Sequence, residues 1–343
     1  MTRTAWLFIL LASCAAPPAS IDWTSATWVP LTTGTKASLR GVCVLDGVVW
    51  ASGSGGTVLR STDAGDTFSV HIVPGAGAND LRDIEAVDAT TAYVISITKP
   101  ARILRTTNGG ADWDELYVSK DERSFFDSIA LFAGGGGVVF GDPRDGVFEI
   151  LWSADGVRWQ HADASSIPPA RKGEAAFAAS GTCVVTRGAR HAWIGTGGMH
   201  SRVLGSEDGG RTWRATATPM PSGTQTTGTY GLRFKDRHTG ILVGGDYTKP
   251  NVGGNNLART DDGGKTWHLA KPGPGGYRSC VAWLPGAPST VLAVGRTGAD
   301  LSSDNGKTWT AFTDPAGFFA LHAAADGTVI AVGSNGRAAR LAR

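Results

Sequence analysis

Along the chain, apolar positions come in short runs that are continuous or alternate with polar ones, and glycine or a polar turn closes each run. One set ends in glycine or just beyond it: VVWASG at 48–53, VVFGDP at 138–143, AWIGTG at 192–197, ILVGGD at 241–246 and VLAVGR at 291–296. A second set follows a few residues later, with VLRST from Val58, RILRTT from Arg102, EILWS from Glu149, RVLGS from Arg202, NLART from Asn256 and ADLSS from Ala299. Runs of this length and spacing predict β-strands joined by tight turns. Each unit reads as an inner strand, a second strand ending in Gly, a third strand ending in a polar turn, and an outer strand.

The polar turn repeats in sequence. The pattern Ser/Thr-x-Asp-x-Gly-x-Thr-Trp occurs as STDAGDTF from Ser61, TTNGGADW from Thr106, SADGVRW from Ser153, SEDGGRTW from Ser206, TDDGGKTW from Thr260 and SSDNGKTW from Ser302. The last three match fully; the first ends in Phe68, the second has Asn108 and Asp112 in place of Asp and Thr, and the third lacks one residue. Start-to-start spacings of 45, 47, 53, 54 and 42 residues suit one four-stranded propeller blade per repeat. In each copy the Asp is expected to accept hydrogen bonds from its own turn, the Gly to supply positive φ, and the Trp to open the outer strand and pack inward.

Six boxes predict six blades, and the chain ends supply a seventh. The stretch from Phe318 to Leu341 holds three strand-like runs without a box, while Trp28-Val29-Pro30-Leu31 is an outer strand without a blade. Joining them closes the ring and removes exposed sheet edges. The expected fold is all-β, a seven-bladed β-propeller with four antiparallel strands per blade over residues 23–343; six or eight blades are the alternative counts.

Composition agrees with many short strands: 48 Gly and 12 Trp accompany only 18% charged residues. The net charge of +2 comes from 32 basic and 30 acidic residues with no basic run, so nucleic acid is not expected as a partner. The first residues carry Arg3, an apolar stretch from Ala5 to Ala12, and then Leu11-Ala12-Ser13-Cys14, too short to span a bilayer. Leu-Ala-Ser-Cys resembles the bacterial lipobox, which implies a signal peptide over 1–13, lipid on Cys14, a tether over 14–22, and attachment to the cell envelope at the periplasmic face of a membrane or the cell surface. Plain secretory cleavage near Ala16 is the alternative. The remaining cysteines, Cys43, Cys183 and Cys280, sit singly in apolar runs and read as buried thiols, with no metal-ligand spacing.

Beyond the box, FFDSIA at 125–130, GDPRDG at 141–146, FAASGT at 177–182, GTGG at 195–198, GGDYTKP at 244–250 and GYRS at 276–279 resemble the photosystem II stability/assembly-factor-like family. The resemblance implies fold and compartment: named members are lumenal propellers that help assemble a reaction centre. The box itself resembles the repeat of bacterial sialidases and marks the fold rather than an activity.

Aligning the inner strands places Arg40, Arg82, Asp127, Glu174, Tyr230, Arg278 and Phe319 at equivalent positions around one channel mouth. Asp142, His200, Asp246 and Tyr247 lie on the Gly-ended loops expected to roof that mouth. Arginine forks in a low-dielectric funnel suit a carboxylate-bearing ligand or peptide segment. The alternative is that the ring is self-paired, Arg with Asp or Glu. Three function classes follow. The leading one is a monomeric, envelope-anchored binding or assembly scaffold for a protein partner or small acidic ligand. The second is a sialidase-type glycoside hydrolase, which would use the three arginines with Tyr230 and Glu174 as nucleophile pair and Asp127 as acid/base, although the Arg-Ile-Pro motif of sialidases is missing. An oxidoreductase is third: GSGGTVL from Gly53 and GTGGMH from Gly195 lack the final Gly of a dinucleotide fingerprint, so no cofactor is expected.

Overall fold

The computed structural model describes residues 21–312 and 316–343. Seven antiparallel sheets follow one another along the chain, each ordered from inner to outer strand. Blade 1 comprises Leu39–Leu45, Val48–Gly53, Thr57–Ser61 and Ser69–Ile72, and blade 2 comprises Leu81–Ala86, Ala92–Ser96, Arg102–Thr106 and Asp114–Val118. Blade 3 comprises Phe126–Leu131, Gly137–Arg144, Val147–Ser153 and Gln160–His161. Blade 4 is Val184–Arg187, His191–Gly195, Arg202–Ser206 and Arg214–Ala217, and blade 5 is Thr227–Phe234, Gly240–Asp246, Leu257–Thr260 and His268–Leu269. Blade 6 is Cys280–Trp283, Val291–Gly295, Gly298–Ser302 and Thr310–Phe312.

Blade 7 takes Phe318–Ala323, Val329–Gly333 and Ala338–Ala342 from the C-terminal end and Thr27–Leu31 from the N-terminal end, with Trp28 facing Leu341 and Val29 facing Arg340. The ring thus closes as the two orphan ends predict. The signal segment 1–13, Cys14 and most of the tether lie outside the described residues. The last two tether residues are in place, for the Ile21 amide donates to the Gly286 carbonyl at 2.8 Å and its side chain packs on the blade 6/7 core.

The core is a set of clusters between blades rather than one centre, because each twisted sheet buries both faces against its neighbours. Second strands are therefore mostly buried, and wholly so in Val48–Gly53 and Val291–Gly295, whereas outer strands such as Ser69–Ile72 are largely exposed. Glycines at the ends of second strands, and Gly141 within that of blade 3, are required by close approach: a Cβ at Gly53, Gly141, Gly295 or Gly333 would collide with the carbonyl oxygen of Ser38, Phe125, Tyr277 or Gly317.

The boxes fasten third strands to outer strands. In blade 5 the Thr260 hydroxyl donates to Asp262 Oδ1 at 2.7 Å and accepts from the Gly264 amide at 3.0 Å, and the Thr266 hydroxyl donates to Asp262 Oδ2 at 2.7 Å. Trp267 Nε1 then donates to the Gly264 carbonyl at 3.2 Å, and Gly264 has φ +88°. The repeat is thus a closed circuit of side chains and backbone, with the leading Ser/Thr hydroxyl as its hub.

One insertion departs from blade regularity. Glu174–Ala175 and Gly197–Gly198 form a two-residue ribbon that pairs with Gly228 at the start of blade 5. The inner strand of blade 4 accordingly begins at Val184 rather than near Glu174.

Candidate functional site

At the end of the propeller where the inner strands begin, five inner strands carry a register shift, and each shift releases one residue from the ladder. The released residues are Arg40, Arg82, Asp127, Tyr230 and Phe319. A β-bulge re-aims the extra side chain, and all five line one open chamber of about 610 Å³. The second strand of blade 3 adds Asp142, the loops after the second strands of blades 5, 6 and 7 add Tyr247, Arg296 and Ser334, and the segment before blade 4 adds Ala176, Phe177, Ala178 and Ala179.

Two expected members of the ring are elsewhere. In blade 6, Cys280 faces Val294 as Gly41 faces Ser52 in blade 1, so the counterpart of Arg40 is Ser279, and Arg278 is one residue early. Arg278 turns into its own blade, with Nε 2.6 Å and Nη2 2.5 Å from Asp300 Oδ2, and is 4% exposed. Glu174 sits in the ribbon, where Arg202 Nη2 lies 2.6 Å from Oε2 and the Thr196 hydroxyl 2.6 Å from Oε1. The two side chains are paired, but with partners inside a blade and ribbon rather than across the channel. His200 and Asp246 also stay out of the chamber lining. The Asp246 carboxylate is occupied by its own turn, accepting from the Thr248 amide and hydroxyl at 3.0 and 2.7 Å.

The chamber's electrostatics are uneven. Arg40 lies over the Phe319 ring at 4.1 Å, and its Nε is buried without a hydrogen-bond partner. Burial, with Arg82 nearby, holds the Arg40 guanidinium below its usual pKa against the pull of Asp80 and Tyr277. Arg82 is engaged, donating from Nε to Asp80 at 2.7 Å and from Nη1 to the Ala178 carbonyl at 2.9 Å. Arg296 is exposed on its loop. On blade 3, burial pushes the Asp127 carboxyl well above the carboxylate range and Asp142 adds to the rise, opposed by Arg82 and the Ala178 amide. Burial raises Asp142 as well, against the hydrogen bond it accepts from the Ala176 amide at 3.0 Å.

The remaining wall is aromatic. Phe177 stacks on Tyr230 with centroids 4.1 Å apart, and Tyr277 meets the Tyr230 ring edge-on at 4.8 Å. Tyr230 donates its hydroxyl to the Thr226 carbonyl at 2.8 Å. With that hydroxyl engaged and Glu174 clamped by Arg202, the Tyr–Glu nucleophile pair of the sialidase reading is not assembled.

Tyr277, Ser279 and Arg296 are among the chamber residues that sequence alignment passes over, with Phe125, Phe177 and Ser334. The signal for Arg296 was available: it directly follows a Gly-ended second strand, as Asp142 follows Gly141 and Ser334 follows Gly333.

Fold and repeat define the class of protein as a BNR-type, Asp-box β-propeller with an open, arginine- and tyrosine-lined chamber. The BNR/Asp-box repeat matches residues 258–269, the box of blade 5. Among curated proteins no relative matches the chain. Among solved structures, YCF48 bound to D1 peptide is similar at 16% identity and a TM-score of 0.62, covering 98% of this chain and 100% of that one. The GH74 xyloglucanase of Xanthomonas campestris is similar at 18% identity and a TM-score of 0.64 over 92% of this chain and 53% of the enzyme. The Pan2 WD40 domain of Neurospora crassa reaches a TM-score of 0.66 at 11% identity, over 95% of this chain and 97% of the domain. Likeness at these identities speaks for the propeller alone.

Proposed function

We propose that this propeller is an envelope-anchored binding or assembly scaffold whose chamber holds a carboxylate-bearing ligand, either an acidic segment of a protein partner or a small acid. The observation that carries this reading is Arg40: a guanidinium whose Nε is buried without a partner, stacked on Phe319 at the wall of a chamber sized for a ligand. Leaving a buried donor unsatisfied is unfavourable, and a carboxylate entering the chamber removes that cost. Arg296, exposed on the rim, supplies a second guanidinium from blade 6. The similarity to a propeller solved with a bound peptide supports a protein segment as one form of this ligand. Lipid on Cys14 would hold the scaffold at the membrane.

The test is a binding titration of the chain with short peptides that differ only in a free or amidated C-terminal carboxylate. The free acid is expected to bind more tightly by about ten- to a hundredfold, the worth of one charged hydrogen-bonded group, and Arg40→Ala to erase the difference while the protein stays folded. Equal binding of acid and amide by the wild type overturns the reading.

A further inference from the structure

Propeller topology separates the charges of the chamber. The free guanidiniums come from blade 1 (Arg40) and blade 6 (Arg296), neighbours of blade 7 on either side, and Arg40 lies over the blade 7 ring of Phe319. The acids Asp127 and Asp142 both come from blade 3, which lies across the ring from blades 6 and 7. Arg82 stands between the two groups, but its Nε and Nη1 are taken by Asp80 and the Ala178 carbonyl.

One oxygen of Asp127 is unsatisfied. The residue is 1% exposed, it lines the chamber, and its Oδ2 is buried with no hydrogen-bond partner. The bulge in its strand turns it towards the chamber. Asp142 has one oxygen on the Ala176 amide. Phe125, directly before the inner strand of blade 3, and Phe177, next to the Ala176 amide that Asp142 accepts from, also line the chamber.

We infer that Asp127 and Asp142 form a second, cation-accepting pole of the chamber, so that the ligand is zwitterionic, with its carboxylate at Arg40 and Arg296 and an ammonium group at the blade 3 acids. The inference rests on the carboxylate reading above and adds the opposite charge at the ligand's other end. A free amino acid, an amino-acid-like metabolite or the end of a peptide with a nearby amine all present this chemistry. An ammonium at Asp127 would supply the missing partner for Oδ2 and hold the acid in its charged form.

Calorimetric titration of the full chain with γ-aminobutyrate and ε-aminocaproate, against butyrate and caproate of matched length, tests it. The zwitterion whose length fits is expected to bind at least about tenfold more tightly than its matched acid, the worth of one charged hydrogen bond. Asp127→Asn, nearly isosteric, should collapse that ratio to about one, and Asp142→Asn should lower it; thermal melts verify that each variant is folded. If acid and zwitterion bind equally at both lengths, the cation pole is overturned while the arginine reading stands. If no carboxylate binds and free and amidated peptides are indistinguishable, both readings fall.

Discussion

At the residue scale the second box shows how the repeat tolerates change. In blades 1, 4, 5 and 6 a Thr hydroxyl donates to an Asp carboxylate, as Thr308 does to Asp304 at 2.7 Å. In blade 2 the roles are exchanged, and Asn108 Nδ2 donates to Asp112 Oδ2 at 2.8 Å. The two departures from the motif are thus one compensated exchange of donor and acceptor. Asn108→Asp alone sets two carboxylates together and should lower stability by about 1 kcal/mol, while Asn108→Asp with Asp112→Thr should recover it; a double-mutant cycle on melting curves reads this. The box acids also set acid stability. For Asp262, burial alone would raise the carboxyl, but hydrogen bonds from Thr266, Thr260 and Lys265 outweigh it and bring the pKa down to about 2. A depressed folded pKa contributes stability that is present above the unfolded value and is lost as pH falls through the folded one. Melting temperature should therefore drop between about pH 4, the unfolded carboxylate range, and pH 2, and Asp262→Asn should flatten part of that fall. An unchanged slope in the variant would show that its carboxylate is not held this way.

At the scale of the strand and blade, the box tryptophans are wedges between sheets. Trp267 is buried with Trp193 and Phe234, the last meeting it edge-on at 6.0 Å. Trp267→Ala should cost about 3–5 kcal/mol, in line with other buried aromatics, and a melt that does not move would contradict the packing. The Arg278–Asp300 pair ties the start of the inner strand of blade 6 to its third strand, both groups buried. Removing one partner strands the other charge, so Arg278→Ala should destabilise by about 3–5 kcal/mol. Below its melting point this variant should bind the free-acid peptide as the wild type does, because Arg278 is outside the chamber. Loss of binding in the folded variant would return Arg278 to the site.

For the whole molecule, closure is the deciding feature. The strand Thr27–Leu31 covers the edge of Ala338–Ala342, and Trp28 packs on Phe318 with centroids 4.9 Å apart. A chain beginning at Thr32 leaves that edge open, and an open edge invites pairing with another chain. It should melt earlier and associate on size-exclusion chromatography, whereas a stable monomer would mean the ring needs no closure. The anchor is tested separately: labelled palmitate should enter the wild-type protein and not Cys14→Ala, and absence of label from the wild type would remove the lipid proposal.

What the sequence determined by itself is everything that repeats: strand runs, glycine-ended second strands, boxes, the blade count and the closure of blade 7. Apart from the closure, which joins Thr27–Leu31 to Ala338–Ala342 and was legible because each end lacked its complement, these are local devices, in which each residue's partners lie within a few positions or one hairpin away, so spacing along the chain carries the information. The candidate site was legible only in part, and for the same reason. Arg40, Arg82, Asp127 and Tyr230 were recognisable because each stands at the same step of an inner strand. Arg278 and Glu174 were placed there by a pattern that slips by one residue in blade 6 and is interrupted by the ribbon before blade 4. One residue of slip sends a side chain from the channel into the blade, because neighbouring positions of a strand face opposite ways. Which acid meets which arginine is therefore settled only when third strands such as Gly298–Ser302 and Arg202–Ser206 fold back beside the chain and offer Asp300 and Arg202 as nearer partners than anything across the chamber.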